Sequence, residues 1–130
     1  MKVPSASISD AEWLVASVIW AEEGLTAVEV AARLESRTIW KQKTVNTFLS
    51  RLVSKDVLRT QPDGRAFRYF SKVPRECCVR QESESFLKKV FGGAVAPMLA
   101  HFCETADLSD EELERLRKIL NQKGKPRREK

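Results

Sequence analysis

The chain has 130 residues, a mass of 14.8 kDa and a formal net charge of +5, with 42% hydrophobic and 32% charged residues. That composition is too apolar for a disordered chain, and no apolar run reaches the roughly 18 residues of a membrane span. Three cysteines, two of them adjacent at Cys77 and Cys78, make no disulfide framework and fit a reducing cytoplasm, while a single histidine, His101, leaves little room for a zinc site or a histidine relay.

Met1-Lys2-Val3-Pro4-Ser5 runs into polar sequence, so no signal-peptide core is expected there. Three helix starts then share one signature, a hydroxyl residue followed three positions later by Glu and flanked by an apolar staple. Ser9-Asp10-Ala11-Glu12, stapled by Ile8 and Trp13, opens a first helix running to about Ala21. Thr26-Ala27-Val28-Glu29, stapled by Leu25 and Val30, opens a second to about Glu35, with Val28, Ala31, Ala32 and Leu34 as its apolar positions. A third helix, about Gln42 to Lys55, lacks such a cap but carries one apolar stripe, Val45, Phe48, Leu49, Leu52 and Val53. Its opposite face reads Lys43, Thr44, Asn46, Thr47, Ser50, Arg51 and Ser54, with no carboxylate.

Two strands follow, Val57 to Thr60 and Arg65 to Phe70, around the turn signal Gln61-Pro62-Asp63-Gly64. Phe67, Tyr69 and Phe70 could stack on unpaired bases, but packing against the first and third helices is the expected role. After Pro74 come a long helix from about Arg75 to Phe91, a helix from about Ala94 to Thr105 and a third, capped by Ser109-Asp110-Glu111-Glu112 and stapled by Leu108 and Leu113, to Lys123. Pro97 fits only the first turn of its helix. The division expected is a winged-helix DNA-binding domain (1–74), a helical dimerisation region (75–123) and a disordered basic tail (124–130).

Charge is concentrated. Arg33 to Lys72 holds ten basic and three acidic residues, a local excess of +7 that exceeds that of the whole chain. Such a segment suits a polyanion. Helix, helix, helix and hairpin in that order is a helix-turn-helix with a wing, and the third helix of such a module enters the major groove. Lys41, Lys43, Thr44, Asn46, Thr47, Ser50, Arg51 and Lys55 are therefore the candidate DNA-binding residues on and beside that helix. Asn46 has the shape for a bidentate contact to adenine. Arg65 and Arg68 of the wing suit phosphate or the minor groove. The apolar residues Phe86, Leu87, Val90, Phe91, Val95, Met98, Leu99, Phe102, Leu113, Leu116 and Leu120 are too few for a separate core and point to a homodimer on a palindromic operator. Cys77, Cys78 and Cys103 read as small helix residues, with a redox or soft-metal sensor as the alternative. His101 reads as a packing residue, and no metal or other cofactor is expected. The competing reading is a winged-helix protein-interaction module that never meets DNA; an enzyme has no motif to support it.

The motifs Ile8-Ser9-Asp10-Ala11-Glu12-Trp13, Val18-Ile19-Trp20, Trp40, Lys43 through Leu52, Asp63-Gly64, Phe67-Arg68-Tyr69-Phe70 and Phe86 through Gly93, with Asp107-Leu108-Ser109 before Glu114-Arg115-Leu116, together resemble the BlaI/MecI penicillinase-repressor family over about Ile8 to Gln122. The resemblance implies a mainly α, dimeric winged-helix repressor of a bacterial operon, dimerising through its C-terminal helices on palindromic promoter DNA. It also implies, for antibiotic-responsive members, a membrane sensor protease that triggers cleavage in the dimerisation region. The matching bond here is His101–Phe102, where the family has Asn–Phe. Three further departures concern the third helix: Trp40-Lys41-Gln42-Lys43-Thr44 replaces a Ser-Pro opening, Asn46 stands where the family has Arg, and Asp56 replaces a Gly after the helix. Asn favours adenine where Arg favours guanine, so the operator is expected to differ.

Overall fold

The computed structural model describes residues 7–124. The N-terminal segment read for a signal-peptide core (1–6) lies outside them, as does the expected basic tail beyond Gly124. In chain order the elements are α1 (Asp10–Ala21), β1 (Leu25–Thr26), α2 (Ala27–Leu34), α3 (Gln42–Ser54), β2 (Leu58–Asp63), β3 (Ala66–Ser71), α4 (Arg75–Phe91), α5 (Val95–Thr105) and α6 (Asp110–Gly124). The chain is thus mainly helical with one small antiparallel sheet, ordered β1-β3-β2. It forms two compact units that part within α4, between Phe86 and Leu87.

All three capping boxes form. Ser9 N–H donates to Glu12 Oε1 at 2.9 Å while Glu12 N–H donates to Ser9 Oγ at 3.2 Å. Thr26 with Glu29 repeats the pair at 2.9 and 3.2 Å, and Ser109 with Glu112 at 3.0 and 3.1 Å. Each box satisfies two amides at a helix start that have no partner within the helix. The α3 start has no side-chain cap; Lys41 occupies the cap position with extended backbone. The other end of α3 closes with a Schellman motif. Asp56 N–H donates to Val53 O at 3.1 Å and Val57 N–H to Leu52 O at 3.0 Å. That motif needs a left-handed residue after the helix, and Asp56 takes it at φ 63°.

The core of the first unit is built from the inner faces of α1, α2 and α3, closed by the sheet and the start of α4. Val15, Ile19, Leu34, Val45, Leu49, Leu52, Val57, Val73 and Cys78 are all fully buried. Trp13 and Trp20 meet edge to face at 5.2 Å between centroids, and Trp20 Nε1 donates to Val73 O at 3.1 Å, tying α1 to the segment that leads into α4. On α2 it is Val30 rather than Val28 that enters the core; Val28 is 68% exposed. The staple position wins because Val30 shares the inward side with Leu34, one turn on.

The hairpin is longer and tighter than the turn signal indicated. Strands β2 and β3 pair from Leu58↔Ser71 to Asp63↔Ala66, so only Gly64 and Arg65 form the turn. Gly64 takes φ 63° at the first turn position, where a type II′ hairpin places glycine. Pro62 lies inside β2, opposite Phe67. It is tolerated because β2 is an edge strand and needs no amide on its open side. The two-residue strand β1 had no signal of its own; Leu25 and Thr26 pair with Tyr69 and Arg68. Gly24 precedes it at φ 84°, where a Cβ would stand 3.2 Å from the Phe70 ring.

In the second unit α4 ends at Gly92-Gly93, with Gly93 N–H donating to Leu87 O at 3.1 Å. Pro97 falls in the first turn of α5. Among the described residues, α5 and α6 contain no buried one.

Candidate nucleic-acid interface

The stripe of α3 is buried through Val45, Leu49 and Leu52, which holds the helix as a rigid rod against α1 and α2. The opposite side is then forced outward. Lys43, Asn46, Thr47, Ser50 and Arg51 are exposed at three- and four-residue spacing, so they share one face. Lys41 is exposed at the cap and Thr44 is half-buried. Thr47 Oγ1 donates to Lys43 O at 3.0 Å, which leaves its hydroxyl to face outward as an acceptor. The Arg51 guanidinium rests 5.9 Å from the Phe48 ring centroid.

The ten cations between Arg33 and Lys72 divide into two groups. Four are in ion pairs. Arg33 grips Glu22 through two hydrogen bonds at 2.9 and 3.0 Å. Lys72 pairs with Asp56 at 2.8 Å. Arg68 pairs with Asp63 at 2.7 Å, lies 3.7 Å from Glu29 and donates to Gly24 O at 2.8 Å. Lys55 Nζ sits 2.6 Å from Glu12 Oε1 and 2.7 Å from Ser7 O. The other six, Arg37, Lys41, Lys43, Arg51, Arg59 and Arg65, have no carboxylate partner among the described residues. Arg59 stacks over Phe70 at 4.6 Å. Arg65 stands at the tip of the hairpin.

Two of the candidate cations, Lys55 and Arg68, are thus engaged within the fold. Lys55 supplies the counter-charge that the Glu12 carboxylate beside it, almost fully buried, needs. Burial pushes the Glu12 carboxyl up, but the Lys55 ammonium and the Ser9 amide and hydroxyl outweigh it, and the net shift is below the ordinary glutamate range. Arg68 ties β3 to Gly24 just before β1, to Glu29 in the first turn of α2 and to Asp63 beside the wing tip, and so stiffens the wing.

Two further features, at Ile39 and Gln42, were not anticipated from the sequence, and a third, Phe67, departs from its expected packing. Ile39, in the turn between α2 and α3, is 98% exposed. Phe67 was expected to pack inward but is 52% exposed. With Val28, Asn46, Ser50 and Tyr69 it lines a shallow groove between α2, α3 and the hairpin. Gln42, the first residue of α3, donates through Nε2 to Ala27 O at 3.0 Å and to Asn46 Oδ1 at 2.9 Å. An apolar residue outside every stripe would have signalled Ile39; nothing local signals the Gln42 contacts.

Elsewhere, Cys78 is a buried small hydrophobe whose thiol burial pushes up to about 11; Cys77 is half-buried and Cys103 exposed on α5. Leu87, Phe91, Met98, Leu113 and Leu116 are half-buried, while Phe86, Val90, Val95, Leu99, Phe102 and Leu120 are exposed. His101 lies on α5 with its ring 6.2 Å from that of Phe91. No described helix is long and apolar enough to cross a membrane.

Residues 8–122 match the family model described as the penicillinase repressor. The methicillin resistance regulatory protein MecI of Staphylococcus aureus strain N315 is 34% identical over 116 residues, spanning 89% of this chain and 94% of that protein. The penicillinase repressor of Bacillus licheniformis is 35% identical over 121 residues, 93% of each chain. Among solved structures, the DNA-binding domain of the repressor BlaI superposes with a TM-score of 0.50 at 35% identity, over 55% of this chain and 88% of that one. MarR of E. coli in its apo form superposes with a TM-score of 0.52 over 91% of this chain and 79% of that one; at 17% identity it attests the winged-helix fold alone. With the family match running almost from end to end and two relatives above 30% identity, the chain belongs to the penicillinase-repressor family.

Proposed function

We propose that the protein is a cytoplasmic, dimeric transcriptional repressor that binds a twofold-symmetric operator of a bacterial operon and reads it with the exposed face of α3. The observation that carries this reading is that face itself. Lys43, Asn46, Thr47, Ser50 and Arg51 stand outward on a rigid helix, with no carboxylate among them, in a family of repressors. Lys43 and Arg51 neutralise phosphates along the groove edge, with Lys41 at the helix start. Thr44, Thr47 and Ser50 are short enough to allow close approach, and Asn46 carries both a donor and an acceptor for a base edge. Arg65 meets the backbone or minor groove beside the site.

The winged unit is the DNA-binding part and the helices beyond it the dimerisation region. This assignment is supported by α5 and α6, which bury none of their residues and present Val95, Leu99, Phe102, Ile119 and Leu120 half-exposed. An apolar surface of that kind is covered most simply by its own copy about a twofold axis, with Phe86, Leu87, Val90, Phe91, Met98, Leu113 and Leu116 contributing. Two recognition helices so related reach half-sites one helical turn apart, about 34–36 Å, or a multiple of it. The His101–Phe102 bond, the family's cleavage position, is inside α5, where Thr105 Oγ1 donates to His101 O at 2.8 Å and Ala106 N–H to Phe102 O at 2.9 Å. A sensor protease reaches that bond only after α5 opens.

The test is binding of the purified chain to the DNA upstream of its own gene, against random duplex, across salt. The expected result is a twofold-symmetric footprint on the upstream DNA and none on the random duplex, lost steeply as salt rises. Equal binding to both at every salt concentration would contradict a sequence-specific repressor.

A further inference from the structure

The polarity of one side-chain amide on the exposed face of α3 is dictated by the backbone of α2. Ala27 O is a carbonyl and can only accept, so the Gln42 group 3.0 Å from it must be the NH2. The same Gln42 Nε2 lies 2.9 Å from a second side-chain atom, that of Asn46, which must therefore also be an acceptor, Oδ1. The orientation of Asn46 follows: Oδ1 is held toward the helix start, and Nδ2, on an exposed residue, has no partner among the described residues. Gln42 and Asn46 are one helical turn apart, so the bond costs neither side chain an unusual reach.

We infer that Gln42 is a positioning residue for base recognition, fixing the Asn46 amide so that Nδ2 presents a donor to a purine N7 and the second lone pair of Oδ1 remains for the adenine amino group. The inference rests on the reading of α3 as the DNA-reading helix and goes beyond it. A free asparagine presents its amide in either sense, and the wrong sense sets donor against donor. Holding one sense before DNA arrives removes that loss and rejects bases that require the reverse. The anchor on Ala27 also couples the choice to α2, so the first helix of the helix-turn-helix motif takes part in base selection without touching a base.

The experiment enriches a preferred duplex from a randomised duplex library with the full-length protein. It then measures affinity for that duplex, for each single base-pair change in it, and for random DNA. Gln42→Ala, Asn46→Ala and the double variant are compared with the parent. Asn46→Ala should abolish discrimination at one base pair, worth about 5- to 150-fold. Gln42→Ala should lower discrimination at that same base pair by about threefold or more, with affinity for random DNA unchanged. The double variant should match Asn46→Ala. A purely structural role would weaken all duplexes together, and that outcome overturns the inference. So does unchanged discrimination in Gln42→Ala, or an effect at a different base pair from the one Asn46 reads. If no duplex is enriched, the reading of α3 itself fails; if one is enriched and Asn46→Ala alone matters, only the role of Gln42 does. Gln42→Met, which fills similar space without a donor, repeats the comparison should the alanine variant melt early.

Discussion

Replacing Lys55 by methionine keeps most of the apolar stem but removes the ammonium that faces Glu12 at 2.6 Å. The Glu12 side chain is 2% exposed and that of Lys55 is 23% exposed. Removing one partner of a fully buried pair costs about 3–5 kcal/mol. Here water reaches Lys55 and the carboxylate keeps the Ser9 N–H, so the expected cost at pH 7 is about 2–3 kcal/mol. The pH dependence is the sharper test. In the parent the Glu12 pKa is lowered, so its contribution is fully present above the unfolded value near 4.5 and lost as pH falls through the folded pKa. In Lys55→Met the burial of Glu12 is opposed only by Ser9, its pKa rises, and protonation relieves the unpaired charge. The difference between the two proteins is therefore largest at pH 7 and shrinks below pH 4. Urea unfolding followed by tryptophan fluorescence at a fixed protein concentration reads it through Trp13 and Trp20, which sit in contact on α1. A cost below about 0.5 kcal/mol at pH 7, or one equally large at pH 7 and at about pH 3, would refute the argument. The same variant separates fold from interface. Because Lys55 is committed to Glu12, the slope of log affinity against log salt should not change, whereas losing one phosphate contact would flatten it by about 0.9.

Other consequences divide in the same way between fold and interface. Arg65→Ala should weaken binding to all duplexes alike and flatten the salt slope by about one, while Arg68→Ala should leave the slope unchanged and lower the melting temperature of the winged unit. An unchanged slope in Arg65→Ala would take the wing tip out of the phosphate contacts. Asp56 holds φ 63°, so Asp56→Gly should be more stable than Asp56→Ala by about 1 kcal/mol, because alanine bears the left-handed cost without a side chain to offset it. Equal unfolding midpoints for the two would mean that the Schellman end of α3 is not what sets stability there. Phe67→Ala should leave the fold intact, since the ring is half-exposed and does not join the core. A drop of more than about 2 kcal/mol would return that ring to the core.

The elements governed by neighbouring residues were legible in the sequence. The capping boxes at Ser9, Thr26 and Ser109 need only four residues each, and the α3 stripe repeats over three turns; both appear where the pattern placed them. The exposed face of α3 follows from its stripe by exclusion. What escaped depends on long separations or on too few residues. Strand β1 is two residues long and carries no periodicity, and it exists because Tyr69 and Arg68 return beside it. The Glu12–Lys55 pair spans 43 positions. Locally, Glu12 reads only as a cap and Lys55 only as a cation on a basic face. Pro62 reads as a turn residue until β2 is known to be an edge. The Gln42 contact to Ala27 depends on how α2 and α3 pack, which neither helix states alone.

The central claim is that the face of α3 carrying Lys43, Asn46, Thr47, Ser50 and Arg51 is the surface that reads DNA. It is tested most directly by titrating the isotope-labelled protein with its enriched duplex and mapping amide and side-chain shifts by NMR. The account predicts the largest changes at Lys41 through Arg51, including the Asn46 side-chain amide, with a second set at Gly64 to Phe67 and little at Lys55. Changes centred on α1, or a duplex that binds without moving the Asn46 amide, would contradict it.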